Sequence, residues 1–91
     1  MDGKTIDVKR RTRIKICGMT STADARSAVE AGADAIGLVF HPPSPRHLEL
    51  GAARTIASSV PPFVARVAVM VNPTREAVAA ILDAVPIELL Q

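Results

Sequence analysis

Apolar runs and helix-spaced apolar positions alternate along the chain. Short apolar runs typical of β-strands start at residues 14, 35, 64 and 87. The run at residues 35–40 is almost continuously apolar, as expected for a strand whose two faces are both buried. The segments between the runs carry apolar residues three and four positions apart, which predicts helices. The chain is therefore predicted to have the order β-α-β-α-β-α-β.

Capping and helix-breaking residues mark the ends of the three helices. Ser21 or Thr20 can cap the first helix, Asp24 is placed near its positive end, and Gly32 supplies a C-terminal stop. The second helix is predicted over residues 49–60, and the third starts at residues 72–74 and is broken by Pro86. The buried faces of the second and third helices are predicted to consist of Ala53, Ile56, Ala57 and Val60, and of Val78, Ile81, Leu82 and Val85.

The alternation of strands and helices predicts an α/β fold with a parallel sheet and right-handed crossovers. Two architectures agree with this pattern, a (β/α)8 barrel of the TIM type and an open doubly wound sheet. The turn after the first strand, CGMT at residues 17–20, has no glycine-rich phosphate loop of the kind that opens nucleotide-binding sheets. This turn favours the barrel, although the periodicity by itself leaves both architectures open.

The net charge of +2 is distributed unevenly. Residues 1–13 hold five basic and two acidic groups, whereas the rest of the chain is close to neutral. We therefore predict a basic N-terminal tail at residues 1–12, followed by a partial barrel at residues 13–91. The tail is either an arm for nucleic acid or a membrane surface, or a solvated leader before the first strand. The solvated leader is the favoured interpretation.

The composition argues against several classes of function. Phe40 and Phe63 are the only aromatic residues, so the exposed rings that stack nucleic-acid bases are missing and no nucleic-acid partner is predicted. No apolar run approaches the ~20 residues that span a bilayer, and no apolar signal-peptide segment follows the basic cluster. No membrane contact is therefore predicted. A single cysteine excludes an internal disulfide and fits a reducing compartment, which predicts a cytoplasmic protein.

Three residues lie where barrel enzymes carry their chemistry, at the C-terminal ends of strands and in the loops that follow. Cys17 ends the first strand, Arg46 lies in the loop after the second, and Gln91 is near the end of the fourth. Cys17 shares a strand face with Lys15, whose ammonium group would favour the reactive thiolate. The alternatives are a Cys17 that is a small buried hydrophobic residue and a Lys15 that is neutralised by a carboxylate from another strand.

The loop at residues 41–47 contains three prolines, which exclude a helix or a central strand and make the loop stiff. In a stiff loop the guanidinium of Arg46 suits a two-pronged contact with a carboxylate or phosphate, although a plain surface arginine is equally compatible. His41 and His47 flank the loop, but two histidines without a nearby set of Cys, Asp or Glu make a poor metal site, so no metal is predicted. The proline spacing also fits a ligand of an SH3-type domain, but a rigid barrel loop is favoured.

Four sequence blocks resemble the phosphoribosylanthranilate isomerase family. KICGMT at residues 15–20 is similar to the family's opening KICG(I/L/M)T, and AGADAIGLVF at residues 31–40 is similar to its AGADAxGFVF block, with Leu38 in place of the usual Phe. SPR at residues 44–46 matches its SPR loop, and residues 61–72 resemble its PPFVxxVGVFVN stretch. The resemblance runs from about Arg13 to Gln91, and four blocks in the family's order are far more specific than one.

The resemblance implies a TIM-barrel enzyme of tryptophan biosynthesis that needs neither metal nor organic cofactor. Its reaction is the Amadori rearrangement of N-(5-phosphoribosyl)anthranilate to 1-(2-carboxyphenylamino)-1-deoxyribulose 5-phosphate, so its partner is a small phosphorylated substrate. By this resemblance Cys17 is the general base that removes the proton from ribose C2, and Arg46 binds the anthranilate carboxylate. Gln91 corresponds to the glutamine that opens the family's QLHG block and lines the pocket.

The chain also departs from the family pattern. The general acid, an Asp after the sixth strand, and the phosphate site after the seventh and eighth strands have no counterpart in the 91 residues. We therefore expect an N-terminal fragment, about the first half of the barrel, that is inactive by itself. In such a fragment the lumen-facing side chains of Val67, Val69 and Leu89 are predicted to lack their packing partners.

Two rival hypotheses remain from the sequence. The first is another barrel enzyme of the phosphate-binding superfamily, which would keep the fold and change the chemistry. The second is a non-enzymatic half-barrel module that pairs with itself or with another chain.

Overall fold

A computed structural model describes residues 12–91. The strands are β1 (Lys15–Cys17), β2 (Ala35–Val39), β3 (Ala65–Val69) and β4 (Leu89–Leu90), and the helices are α1 (Thr22–Glu30), α2 (Leu50–Ser58) and α3 (Arg75–Ala84). The predicted order β-α-β-α-β-α-β is confirmed. The predicted basic tail at residues 1–12 lies, except for Thr12, outside the described residues.

The described strands form a four-stranded sheet whose spatial order, β1-β2-β3-β4, is the same as their order along the chain. All pairs are parallel, with Cys17 opposite Gly37 and Val67 opposite Leu89. A doubly wound sheet reverses its strand order at a switch point and carries helices on both faces. Here the order never reverses, so the arrangement is that of consecutive βα units of a barrel, and the predicted fold class is confirmed.

The hydrophobic core lies between one face of the sheet and the helices. Ile36 and Leu38 of β2 are fully buried there against Ala53 and Ile56 of α2. Because side chains alternate along a strand, Ala35, Gly37 and Val39 must face the opposite side of β2. This opposite side is the concave inner face of the sheet, the side that becomes the lumen of a closed barrel.

Helix α1 has one of the two predicted caps, and α3 starts where it was predicted to start. Ser21 is the N-cap of α1, and its hydroxyl accepts a hydrogen bond from the backbone N–H of Asp24. Thr74 caps α3 in the same way, through Ala77 N–H. Gly32, with φ of 97°, follows the end of α1 in the left-handed conformation that favours glycine. Helix α2 is shorter than predicted and ends at Ser58. Residues 59 and 60 do not continue the helical hydrogen-bond pattern but form tighter turns, in which Ser59 N–H and Val60 N–H donate to carbonyls three residues earlier.

Two predictions of burial are wrong. Leu82 of α3 was assigned to the core face but is 47% exposed, because the contact of α3 with its neighbours centres on Ile81, about 100° away around the helix. Val67 faces the lumen, yet it is only 4% exposed. The side chains of Lys15 and Gln91 are hydrogen-bonded to each other across the concave face. They line the same concavity as Val67, and this cover accounts for the burial of Val67. Val69 is half-buried and Leu89 is 55% exposed, as the prediction requires.

An ion pair joins β3 to the residue before β4 at the end of the sheet where the strands begin. The Arg66 guanidinium donates to both carboxylate oxygens of Glu88, at 2.9 Å from Nε and 2.5 Å from Nη2, and also to the carbonyl of Ala57 at 3.3 Å. The hydrogen bonds from Arg66 lower the pKa of Glu88 and raise that of Arg66. Because the carboxylate is stabilised in the folded state, the pair contributes to stability above the unfolded pKa near 4.5 and loses this contribution as the pH falls through the lower folded-state value.

We therefore expect the Glu88 carboxyl to titrate below 4.5 in the folded protein, in a titration followed by carbon NMR. Arg66→Met should move this titration back towards the usual value, whereas Arg75→Met, a matched change on the exposed face of α3, should not. The stability contribution is about 1 kcal/mol or less, since the Glu88 side chain is 44% exposed and solvent screens the pair. A Glu88 titration that is the same with and without Arg66 would contradict this assignment.

Candidate active site

Cys17 lies at the C-terminal end of β1 with an exposed side chain, so the interpretation of this residue as a buried hydrophobe is wrong. The turn that follows it is tied to the neighbouring strand. The backbone N–H groups of Gly18 and Met19 both donate to the carbonyl of Gly37, at 3.0 and 3.2 Å. The thiol therefore sits on a fixed stretch of backbone at the edge of the sheet where functional groups of barrels collect.

The proline-rich loop after β2 is folded into two consecutive turns. Ser44 N–H donates to the carbonyl of His41, and His47 N–H donates to the carbonyl of Ser44. The Ser44 hydroxyl also accepts a hydrogen bond from Arg46 N–H at 3.1 Å. After the loop, Leu48 N–H donates to the carbonyl of Val39 at the end of β2. The loop is thus stiffened by hydrogen bonds as well as by its prolines.

The loop places the Arg46 side chain directly over the turn after Cys17. A Cβ added at Gly18 would lie 2.5 Å from Cδ of Arg46, so the arginine occupies the space that any other residue would fill. Gly18 also has φ of 84°, which L side chains rarely adopt. The structure therefore brings Cys17 and Arg46 together at one end of the sheet, with Gly18 between them.

Asp24 adds a negative charge beside this turn. Its carboxylate accepts hydrogen bonds from the hydroxyl of Thr20 at 2.9 Å and from its backbone N–H at 3.2 Å. The Thr20 hydroxyl bond is the main cause of a lowered Asp24 pKa, and the charge of Arg46 lowers it further. The Asp24 side chain therefore ties the first turn of α1 to the turn that carries Gly18.

Gln91 follows β4 and continues the ladder, since its N–H donates to the carbonyl of Ala68 at 2.8 Å. Its side-chain oxygen accepts a hydrogen bond from the Lys15 ammonium across the concave face. Within the described residues the partner of Lys15 is thus an amide. The alternative of a carboxylate partner from another strand of a complete barrel stays open. Gln91 is linked to the strand that carries Cys17, but through the middle of the inner face and not through the turn where Arg46 lies.

Residues 12–91 contain neither a metal-ligand cluster nor a membrane-spanning helix. No cluster of three His, Cys, Asp or Glu side chains that could hold a metal ion occurs in this part of the chain. None of the described helices has the length and apolar character needed to cross a membrane.

The sequence model of the N-(5'-phosphoribosyl)anthranilate (PRA) isomerase family matches residues 14–91. The chain belongs to this family. The isomerase of Legionella pneumophila strain Corby is 49% identical over 81 residues, which cover 89% of this chain and 39% of the Legionella protein. The isomerase of Azotobacter vinelandii is 54% identical over 79 residues, which cover 87% of this chain and 38% of that protein.

Solved structures of PRA isomerases share the fold. The crystal structure of the Thermotoga maritima enzyme superimposes with a TM-score of 0.85 at 43% identity, over 89% of this chain and 40% of that one. A second PRA isomerase structure, in complex with reduced 1-(o-carboxyphenylamino)-1-deoxyribulose 5-phosphate, gives the same TM-score and identity over 42% of its length. The chain therefore spans about two fifths of the length of the PRA isomerases that it matches.

Two residues at the site were not selected as candidates from the sequence. Asp24 was expected only to favour the helix end, because its bonds to Thr20 depend on how the turn folds back. The sequence pattern predicts Gly37 only as one residue of an apolar strand. A glycine within an otherwise β-branched and aliphatic strand does signal a close approach of another group, and this signal was available in the sequence.

Proposed function

We propose that the chain supplies the general base and the carboxylate-binding residue of a PRA isomerase. The reaction is the Amadori rearrangement of N-(5-phosphoribosyl)anthranilate in tryptophan biosynthesis. The observation that carries the proposal is the position of an exposed thiol, Cys17, beside the Arg46 side chain at the C-terminal end of a barrel-type sheet. Both residues also lie in blocks that match the family motifs.

The proposed role of Cys17 is to remove the proton from C2 of the ring-opened substrate. In the protonated imine that ring opening produces, the electron pair of the C2–H bond then forms the C1=C2 double bond, and the electrons of the C1=NH⁺ bond pass to the nitrogen and neutralise it. Protonation at C1 and loss of the hydroxyl proton at C2 complete an internal redox change, since C1 is reduced and C2 becomes a ketone. A thiolate is a suitable acceptor for the C2 proton when it lies within hydrogen-bonding reach.

The proposed role of Arg46 is to hold the anthranilate carboxylate. A guanidinium donates two parallel hydrogen bonds to a carboxylate, which fixes both the position and the orientation of the aromatic end of the substrate. The stiff loop reduces the entropy that would be lost when this contact forms. Gln91 is proposed to line the pocket from the opposite strand.

The ligand is accordingly proposed to be a small phosphorylated molecule, and the compartment to be the cytoplasm. The proposal of a phosphorylated ligand is supported by the relative whose structure contains a deoxyribulose 5-phosphate derivative. The cytoplasm is supported by the single, exposed and unpaired thiol. The general acid and the phosphate site have no counterpart in residues 14–91 and must come from residues outside that segment.

The test is a hybrid enzyme in which residues 14–91 replace the matching segment of the Azotobacter isomerase, 54% identical in this region. We expect the hybrid to convert N-(5-phosphoribosyl)anthranilate, measured by the loss of anthranilate fluorescence. A hybrid that folds but shows no turnover would contradict the proposal, provided that the parent enzyme is active under the same conditions.

In the hybrid, Arg46→Lys is expected to lower kcat/KM, because an ammonium group cannot reproduce a two-pronged contact. The expected loss corresponds to roughly 1.5–3 kcal/mol of transition-state stabilisation, the scale of a charged hydrogen bond. The matched control is Arg75→Lys on the exposed surface of α3, which should have no effect. Steady-state kinetics of the two variants give the comparison. An unchanged kcat/KM in Arg46→Lys would show that this arginine does not bind the substrate.

A second candidate function is a module that self-associates. It is favoured by the exposure of Ile14, next to β1, and of Leu89 and Leu90 in β4, each half or more exposed, at the two outer strands of the described sheet. Its test is given in the Discussion.

A further inference from the structure

We infer that Gly37 is a positioning residue for Cys17: its missing side chain creates the space that the thiol occupies. This inference rests on the proposed function, since it concerns the same site. Gly37 pairs with Cys17 in the β1–β2 register, and both residues face the concave inner side of the sheet. A Cβ built on Gly37 would lie 2.7 Å from Sγ of Cys17, 3.2 Å from its Cβ and 3.1 Å from its Cα.

These distances exclude an ordinary side chain at position 37. Contacts below 3.0 Å between a Cβ and another heavy atom do not persist, so either the thiol or the strands would have to move. The strands are not free to separate here, because Gly18 and Met19 both donate hydrogen bonds to the carbonyl of Gly37. The simplest response to an added methyl group is therefore rotation of the Cys17 side chain away from β2.

The need for glycine at position 37 is one of space and not of backbone conformation. Gly18 and Gly32 have positive φ angles, which favour glycine wherever they lie. Gly37 is part of a regular strand without a positive φ, so an alanine could adopt its backbone conformation without strain. A glycine within a buried strand normally weakens the strand. The physical reason for a glycine at this position is therefore the close approach of another group.

The consequence concerns the direction of the thiol. Because β2 carries no side chain at this point, Sγ occupies the space beside Gly37 on the inner face. A base must lie within about 3 Å of the proton that it removes, and displacements on the order of 1 Å can cost up to a hundredfold in rate. Gly37 thus fixes the position of the proposed base without touching the substrate.

The first experiment uses the 91-residue chain and needs no turnover. Cys17 is the only cysteine, so labelling its Cβ for NMR reports its χ1 angle alone, through the Hα–Hβ couplings. We expect Gly37→Ala to change the χ1 rotamer and to raise the rate of alkylation by iodoacetamide roughly threefold or more, as the thiol moves away from the strand. The matched control is Gly51→Ala in α2, where an added Cβ meets nothing within 4 Å. An unchanged Cys17 rotamer in Gly37→Ala would overturn the inference.

The second experiment separates positioning from stability in the hybrid enzyme. Gly37→Ala should lower kcat on the order of tenfold to a hundredfold with KM nearly unchanged, whereas Gly51→Ala should alter neither. If the rotamer changes and kcat does not, while Cys17→Ala removes activity, the inference is overturned and the proposed function stands. If Cys17→Ala leaves kcat intact, the proposed function fails, and the catalytic meaning of Gly37 fails with it.

A further variant covers the case in which Gly37→Ala does not fold. In the double variant Cys17→Gly, Gly37→Ala, both Sγ and Cβ of residue 17 are removed, and only the 3.1 Å contact with Cα remains. Recovery of the folded NMR spectrum in the double variant supports the inference. A double variant as unfolded as Gly37→Ala alone overturns it.

Discussion

Cys17→Ala in the hybrid enzyme is expected to lower kcat on the order of 10²-fold or more, with little change in KM, because removal of a general base slows the proton transfer and not the binding. The substrate contacts proposed for Arg46 and for the phosphate site are untouched by the change. Steady-state kinetics over a range of substrate concentrations would separate the two parameters.

The matched control for Cys17→Ala is Ser27→Ala, a change of similar size on the exposed side of α1. It should leave kcat and KM unchanged. Cys17→Ser adds a second comparison, because a hydroxyl keeps the shape of the thiol but is a much weaker acid. A near-normal kcat in Cys17→Ala would end the assignment of Cys17 as the base.

A polypeptide of residues 1–91 alone is expected to show no isomerase turnover and to associate with itself. The resemblance places the general acid and the phosphate site outside these residues, so the base would act without its partner. Ile14, Leu89 and Leu90 are 50%, 55% and 50% exposed on the outer strands β1 and β4 or next to them. Completing the burial of three half-exposed aliphatic side chains is worth about 2–4 kcal/mol, a substantial part of the 5–15 kcal/mol typical of a domain.

Within residues 12–91 the outer edges of β1 and β4 pair with no further strand, which adds to this tendency, because an open strand edge is a template for pairing with another chain. Sedimentation velocity at several concentrations would measure the association. Leu89→Lys should shift the equilibrium towards monomer, because it places a charge on the exposed lumen-facing edge. Leu82→Lys is the matched control, since Leu82 is 47% exposed but lies on α3, away from β4.

Two outcomes would contradict the expectation for the 91-residue polypeptide. A monomer at all concentrations with a sharp cooperative melt would show that the exposed strand edges need no partner. Measurable turnover would show that the residues needed for acid catalysis and phosphate binding are present after all.

The periodicity of the sequence determined the order of the elements, because each strand and helix is a local pattern with local stop signals. Ser21 and Thr74 are caps because their hydroxyls reach backbone groups three residues away, a distance that the sequence alone fixes. The face of α2 could be predicted for the same reason, and Ala53, Ile56, Ala57 and Val60 are all buried. The motifs containing Cys17 and Arg46 could also be read directly.

The tertiary structure decided what depends on contacts between distant segments. The predicted burial of Leu82 and Val67 is wrong because burial is set by which neighbour covers a side chain. Val67 is covered by Lys15 and Gln91, which are 76 residues apart in sequence. The choice between barrel and doubly wound sheet needed the strand order, which periodicity does not contain. The role inferred for Gly37 likewise depends on a parallel register that puts it opposite Cys17, whose side chain leaves no room for a Cβ at position 37.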